Sequence, residues 1–282
     1  MRADVAALRP GVNGVNAVGS DLLIRTGSAA VLAAIALGAA WFGGPATGLV
    51  AAAAAVVVWL EWAAITGARE ADARLLAVPV GLATVVAGFG FLGLGFGIAG
   101  GTALGLWFSQ RSLWSAAGIA YAGILGLCIL AIRLSGELGL TALVFVFAIV
   151  WVTDTGAFFA GRIIGGAKLW PRISPKKTWA GAIGGLAAGV IAGAAVAGGA
   201  GMVLSPPLIA MAVLLSIGCQ MGDLFESAVK RRFGVKDSGH IIPGHGGLMD
   251  RVDGLIFACA LAALVGWVRA GSDHIAAGLL RG

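Results

Sequence analysis

The sequence predicts an all-α polytopic membrane protein with about nine transmembrane helices and a cytoplasmic N-terminus. Three observations carry that expectation. Hydrophobic residues make up 59% of the 282-residue chain and charged residues 11%, with a mean hydropathy of +0.98; ordinary soluble domains are about one-quarter charged. Nine apolar windows approach the ~20 residues that a helix needs to cross a bilayer, and 47 glycines supply the small residues that let membrane helices pack closely. The cations are also unevenly placed. With the N-terminus inside, every Lys and Arg except Arg133, Arg269 and Arg281 falls on the cytoplasmic side, as the positive-inside rule requires.

The windows fall at about 27–43, 46–66, 73–89, 91–108, 113–133, 138–161, 180–201, 206–229 and 252–270. Ahead of them, Met1 to Thr26 is polar, with Asn13, Asn16 and three arginines. The Ala-rich run Ser28 to Ala40 follows too long a polar segment for a cleaved signal peptide and leads directly into further spans, so it reads as a retained first helix. Glu61, between Trp59 and Trp62 in the second window, has two readings: a functional or paired intramembrane carboxylate, or a side chain snorkelling beside Arg69. Gly67 to Arg74 is a plain connector, and Gly88 to Gly101 reads as one broken helix or two.

Several tempting signals carry no chemistry. Gly88-Phe89-Gly90-Phe91-Leu92-Gly93 matches GxGxxG, yet it follows no strand and opens no βαβ unit, so it reads as glycine packing. No Walker A sequence occurs. Cys128, Cys219 and Cys259 lie in apolar windows without metal-ligand spacing and read as small core residues. The net charge of +6 resides in loops facing the membrane, where anionic lipid is the natural partner; nucleic-acid binding is excluded on that ground.

The chemistry concentrates in the C-terminal half. The sixth window ends with Asp154 and leads through Arg162 and Lys168 to Ser174-Pro175-Lys176-Lys177-Thr178-Trp179. Pro175 predicts a helix start that places Lys176, Lys177 and Thr178 at its N-terminus, where free N–H groups and the helix dipole favour an anion. Two lysines and two hydroxyls there form a phosphate clamp, while Trp170 and Trp179 suit an interfacial anchor; the two roles are compatible. In the eighth window Asp223, Glu226, Ser227 and Lys230 share one helical face, which must turn away from lipid. A Glu226–Lys230 pair at i,i+4 is ordinary but leaves Asp223 unexplained except as a ligand.

From Ser227 to Asp253 the composition changes abruptly: Lys230, Arg231, Arg232, Lys236, Asp237, His240, His245, Asp250, Arg251 and Asp253 fall within 27 residues. A loop that only set topology would need Lys and Arg but not the acids. Cations hold phosphate oxygens through charge-assisted hydrogen bonds, carboxylates bind hard divalent ions, and the glycines after Pro243 let backbone N–H groups approach an anion. The segment suits a polyphosphate and its metal.

It also resembles the signature of the phosphatidate cytidylyltransferases (CDP-diacylglycerol synthases), through Ser227, Lys230, Arg231, Lys236, Asp237, Pro243, His245, Gly246, Gly247, Asp250, Arg251 and Asp253. The earlier block is similar to that family at Asp154, Arg162, Lys168, Ser174, Lys176, Lys177, Thr178 and Gly181. It departs at Phe158, Gly166 and Ala180, where Tyr, Lys and Glu are usual, so no role there rests on a tyrosine hydroxyl or that glutamate. The two blocks span roughly the last 100 residues; the N-terminal half agrees only in being membranous.

The resemblance implies that the phosphate of phosphatidate attacks the α-phosphorus of CTP and expels pyrophosphate, with alignment and charge neutralisation replacing any enzyme nucleophile. It implies one or two Mg²⁺ ions on Asp223 and Asp250, with Asp253 and Asp154 as further candidates. Lys230, Arg231, Lys236 and Arg251 would meet phosphates from one side, with Lys176 and Lys177 from the other. Ser174, Thr178, Ser227, Asp237, Gly246 and Gly247 complete the candidate substrate contacts. His245 would either donate to the leaving pyrophosphate or order the glycine turn. A homodimer in a bacterial-type inner membrane, with the site facing the cytoplasm, is implied as well. The expected division is residues 1–135, membrane helices, and 136–282, a catalytic membrane region with two basic loops. An ion-coupled transporter using Glu61, Asp154 and Asp223 is the alternative from another class, though the acids cluster near cytoplasmic ends and no repeated halves are visible. A metal-dependent lipid phosphatase would need a nucleophile or activated water that does not stand out.

Overall fold

The computed structural model describes residues 13–109, 113–239, 241 and 246–281, with side chains from residue 27 onward. Six helices come first: α1 (Asn13–Phe42), α2 (Gly44–Thr66), α3 (Glu70–Gly88), α4 (Leu92–Phe108), α5 (Leu113–Arg133) and α6 (Gly139–Ile163). An antiparallel hairpin follows, β1 (Lys168–Trp170) with β2 (Ser174–Thr178), and then α7 (Trp179–Gly199), α8 (Pro206–Arg232) and α9 (Met249–Ala270). A single 3-10 turn at Ser272–His274 leads into the short α10 (Ile275–Leu280). Seven helices, α2, α3 and α5 to α9, are long and apolar enough to cross a membrane, and Gly27–Phe42 and α4 are shorter apolar helices. The chain is therefore a helical, multi-pass membrane protein, with one small hairpin among the described residues.

Each apolar window of the sequence lies on one helix, because a helix is the only open segment that satisfies its own backbone in hydrocarbon. The Gly88–Gly101 stretch is two helices: the chain turns at Phe89–Phe91 through Gly90, whose φ of 96° is a conformation other residues rarely take. Ser205 starts α8 by accepting the Leu208 N–H, with Pro206 in the first turn.

α5 runs through the centre. Ile119, Leu125 and Ile132 are fully enclosed, and Trp59, Trp62, Phe145 and Ile149 pack in the same core. The two tryptophans each satisfy their indole N–H, Trp59 to Ala73 O at 2.7 Å and Trp62 to Trp114 O at 2.8 Å, as buried indoles require. α7 buries a face of Gly181, Gly185, Gly189, Gly193 and Ala197. A Cβ at Gly185 would stand 2.6 Å from Thr153 O of α6, so small residues alone permit this close approach. At the opposite end from the hairpin, the Arg133 guanidinium donates to the Ala40 and Trp41 carbonyls. It caps the C-terminus of α1, where a cation complements the orphan carbonyls.

Candidate active site

The C-terminal ends of α2, α6 and α8 meet the hairpin and the N-terminal ends of α7 and α9 at one end of the bundle. A cleft of about 780 Å³ lies among α6, the hairpin, α7, α8 and α9. From α6 it takes Asp154 and Arg162, and from β2 Lys176, Lys177 and Thr178. Asp223, Glu226 and Lys230 enter from α8, Asp237 from the following loop, and Asp250, Arg251 and Asp253 from α9.

The hairpin corrects the expectation for the two lysines. Lys176 and Lys177 do not sit in the first turn of a helix but in β2, paired with β1 at Lys168↔Thr178 and Trp170↔Ser174. The helix begins one step later: Thr178 is its cap, with Oγ1 accepting the Gly181 N–H at 3.1 Å. Pro175 is accommodated in an extended strand, and the lysines reach the cleft as side chains ahead of the helix. Lys176 is exposed. Lys177 is drawn inward to Asp223, Nζ to Oδ2 2.5 Å, so Asp223 has a partner from another element.

Asp223 also accepts from Ser227 Oγ at 3.3 Å. The expected Glu226–Lys230 pair is present at 3.4 Å, and the same ammonium binds Asp250 Oδ1. The other oxygen of Asp250 accepts from Ser238 N at 3.0 Å, Ser238 Oγ at 2.9 Å and Gly247 N at 3.2 Å. Asp253 is buried and accepts the Gly254 N–H at 2.8 Å. Cys219, expected as plain core, is buried but places its Sγ 3.4 Å from Asp154 Oδ1.

Not every candidate converges. Arg231 is exposed outside the cleft, its Nε 3.5 Å from Ile173 O, and Lys236 is exposed outside it too. Ser174, Ser227, Gly246 and Gly247 are not among the lining residues, and Gly247 spends its N–H on Asp250. His245 and Pro243 lie outside the described residues. Three polar lining residues escaped the candidate set, Arg162, Gln220 and Glu226, the last read from the sequence only as the ordinary i,i+4 partner of Lys230. Arg162 was legible in the earlier motif, and Gln220, one turn before Asp223 on the polar stripe, ties α8 to α7 through Nε2 to Ala182 O at 3.2 Å.

A second cavity of about 640 Å³ adjoins the first. It is an apolar groove among α1, α2, α5, α6 and α9, with Leu32, Ile35, Val50, Phe147 and Trp151 on its walls. Asp154, Asp250 and Arg251 border both cavities. The polar cleft and the apolar groove thus meet at two carboxylates and a guanidinium.

The donor set fits a hard divalent cation such as Mg²⁺, since the acids offer oxygen alone and Mg²⁺ commonly takes one or two carboxylates plus substrate phosphates. Among the described residues, no three acids, histidines or cysteines already stand as a ready-made ligand cluster; Asp223 and Asp250 instead hold lysines.

A cleft at one end of a bundle of membrane-length helices that sets cations against carboxylates and adjoins an apolar groove suits a membrane enzyme of phosphate chemistry. Residues 23–268 match the Cytidylyltransferase family. The phosphatidate cytidylyltransferase of Brucella abortus biovar 1 (strain 9-941) is 43% identical over 268 residues, covering 92% of this chain and 98% of the relative. That of Brucella suis biovar 1 (strain 1330) is 43% identical over 264 residues, covering 90% and 96%. The phosphatidate cytidylyltransferase of Staphylococcus aureus (strain COL) is 47% identical over 124 residues, 44% of this chain and 48% of that protein. The chain belongs to the cytidylyltransferase family.

Proposed function

We infer that the protein transfers the cytidylyl group of CTP to phosphatidate, forming CDP-diacylglycerol and pyrophosphate for phospholipid synthesis. The observation that carries this reading is the junction of cleft and groove at Asp154, Asp250 and Arg251. A substrate with a phosphate head and apolar tails fits across that junction, tails in the groove and phosphate beside Arg251, while a triphosphate fits the cationic cleft. A purely soluble phosphate substrate would leave the groove without a purpose.

In this reading a phosphate oxygen of phosphatidate attacks the α-phosphorus of CTP, the bond from that phosphorus to the β-phosphate oxygen breaks, and pyrophosphate leaves. The chain contributes placement. Lys176 and Lys177 approach from the hairpin, and Lys230 and Arg251 from the helices, each able to bind phosphate oxygens through charge-assisted hydrogen bonds. Holding two substrates in register can lower a barrier by ~7–11 kcal/mol. Asp223 and Asp250 would hold Mg²⁺, which supplies neutralisation of charge developing on the phosphates. Asp154 and Asp253 stand by as further ligands or orienters.

The same proposal includes nine spans, an N-terminus and cleft facing the cytoplasm, residence in the bacterial inner membrane and a homodimer. The clustering of cations at the cleft end supports the orientation. The test is direct: the purified protein in detergent should release pyrophosphate and form CDP-diacylglycerol only with both CTP and phosphatidate. Phosphate release from phosphatidate without CTP would point to a phosphatase instead, and ion flux into proteoliposomes without nucleotide turnover to a transporter.

A further inference from the structure

Glu61 belongs to α2, yet its carboxylate is spent on α9. It is 4% exposed. Oε1 accepts the Leu248 N–H at 2.9 Å, and Oε2 accepts the Met249 N–H at 2.7 Å and lies 3.1 Å from Ser238 Oγ. Leu248 and Met249 are the cap and first residue of α9, so an acid from a distant helix satisfies N–H groups that the helix itself leaves open. The sign also suits the positive end of the helix dipole. Arg69, the partner conceivable from the sequence, pairs with Asp72 instead.

Two features connect this cap to the site. The next residues in the chain are Asp250 and Arg251, both at the junction of cleft and groove. Ser238 Oγ touches Glu61 and Asp250 together, at 3.1 and 2.9 Å, so one hydroxyl spans the two carboxylates. The glycines around it are part of the device: a Cβ on Gly247 would stand 2.8 Å from Glu61 Oε2, and one on Gly239 2.9 Å from Oε1. At Gly247 the Cβ would stand closer still to Ser238 Oγ, so Gly247 is small because the Ser238 hydroxyl and the Glu61 carboxylate both approach it, a different need from the anion cradle that its place in the motif suggests.

We propose that Glu61 is a positioning residue for the reaction, setting Asp250 and Arg251 by holding the start of α9 and the Ser238 hydroxyl. The proposal rests on the reading of Asp250 and Arg251 as substrate-handling residues. Glu61→Gln keeps the shape but puts an amide, which donates rather than accepts at one of its two ends, against these donors. Ser238→Ala removes only the bridge.

The experiment uses the full chain in detergent and measures turnover, half-saturating Mg²⁺, melting temperature and amide exchange over residues 246–253. Glu61→Gln should remain folded, speed exchange at Leu248 and Met249, raise half-saturating Mg²⁺ and lower turnover by ~10- to 100-fold, the usual cost of removing a group that orients a ligand. Ser238→Ala should do the same more weakly, and the double variant should fall short of the product of the two effects, because both act through one contact. Unaltered Mg²⁺ dependence and turnover in folded Glu61→Gln would overturn the proposal. Activity lost only in proportion to the folded fraction, with Mg²⁺ dependence unchanged, would overturn it as well, by showing a merely structural role. If Glu61→Gln fails to insert, Ser238→Ala decides by the same readouts. Asp250→Asn is run alongside: full turnover there would sink the site reading, whereas its loss beside an unaffected Glu61→Gln would sink this proposal alone.

Discussion

Lys177 and Asp223 hold one another at 2.5 Å between the hairpin and α8, and Lys230 is shared by Glu226 and Asp250. These two lysines and three acids of the cleft are thus matched before any substrate arrives, and an incoming triphosphate with its cation must exchange these partners: phosphate for Asp223 at Lys177, metal for Lys177 at Asp223. Lys177→Ala should raise the KM for CTP by about 10- to 150-fold, the equivalent of one charge-assisted bond worth ~1.5–3 kcal/mol, and should lower half-saturating Mg²⁺ because Asp223 loses its competitor. Lys176→Ala, exposed and without that pair, should change KM less. Asp223→Asn should fold, lose turnover by orders of magnitude and need more Mg²⁺ for what remains. Steady-state kinetics with CTP and Mg²⁺ varied in turn check all three; near-wild-type Asp223→Asn would remove that residue from the metal. The stripe Asp223–Glu226–Lys230 was legible because helical spacing is a local rule. The partner of Asp223 was not, because no spacing rule links a hairpin lysine to a helix that follows α7.

Helix-scale features were legible wherever hydrocarbon dictates them, so α5 was placed at Leu113–Arg133 from its apolar length alone. The hairpin was not legible: strands of three and five residues are too short for an alternating pattern, and Pro175 looks like a helix start. The tight seam between α6 and α7 shows why such placement matters, since it carries Asp154 on one side and the Thr178 cap on the other. At Gly185 an added Cβ would meet Thr153 O at 2.6 Å and Ala157 Cβ at 2.8 Å, whereas at Gly198 it would meet nothing within 4 Å. Gly185→Ala should therefore destabilise the protein by ~1–3 kcal/mol through overpacking and reduce activity by moving Asp154. Gly198→Ala should be neutral or stabilise by up to ~1 kcal/mol through helix propensity. Melting temperatures in detergent distinguish them; equal stability of the two variants would show that α6 and α7 can separate without cost.

At the scale of the molecule, the two ends of the bundle differ in charge. The cleft end carries Arg69 and Arg74 at the start of α3, the hairpin lysines, and Lys230, Arg231, Arg232 and Arg251. The opposite end carries Arg133, which is consumed in capping α1, and Arg269 near the end of α9. Lys and Arg resist translocation, and the proposed orientation accordingly puts the end richer in them on the side of synthesis. Of these cations, Lys176, Lys177, Lys230 and Arg251 line the cleft itself. Glu61 joins the halves at this end, reaching from α2 to the start of α9, which requires the C-terminus of α2 and the N-terminus of α9 to share one membrane face. Reporter fusions placed after Lys168 and after Lys236 should therefore both score cytoplasmic, and a fusion after Gly44, where α1 passes into α2, should score on the far side. Opposite scores for the two basic loops would mean that α7 and α8 together do not return the chain to its starting face. The cleft could not then form from β2 and α9 as described, and the orientation and the site would fall together.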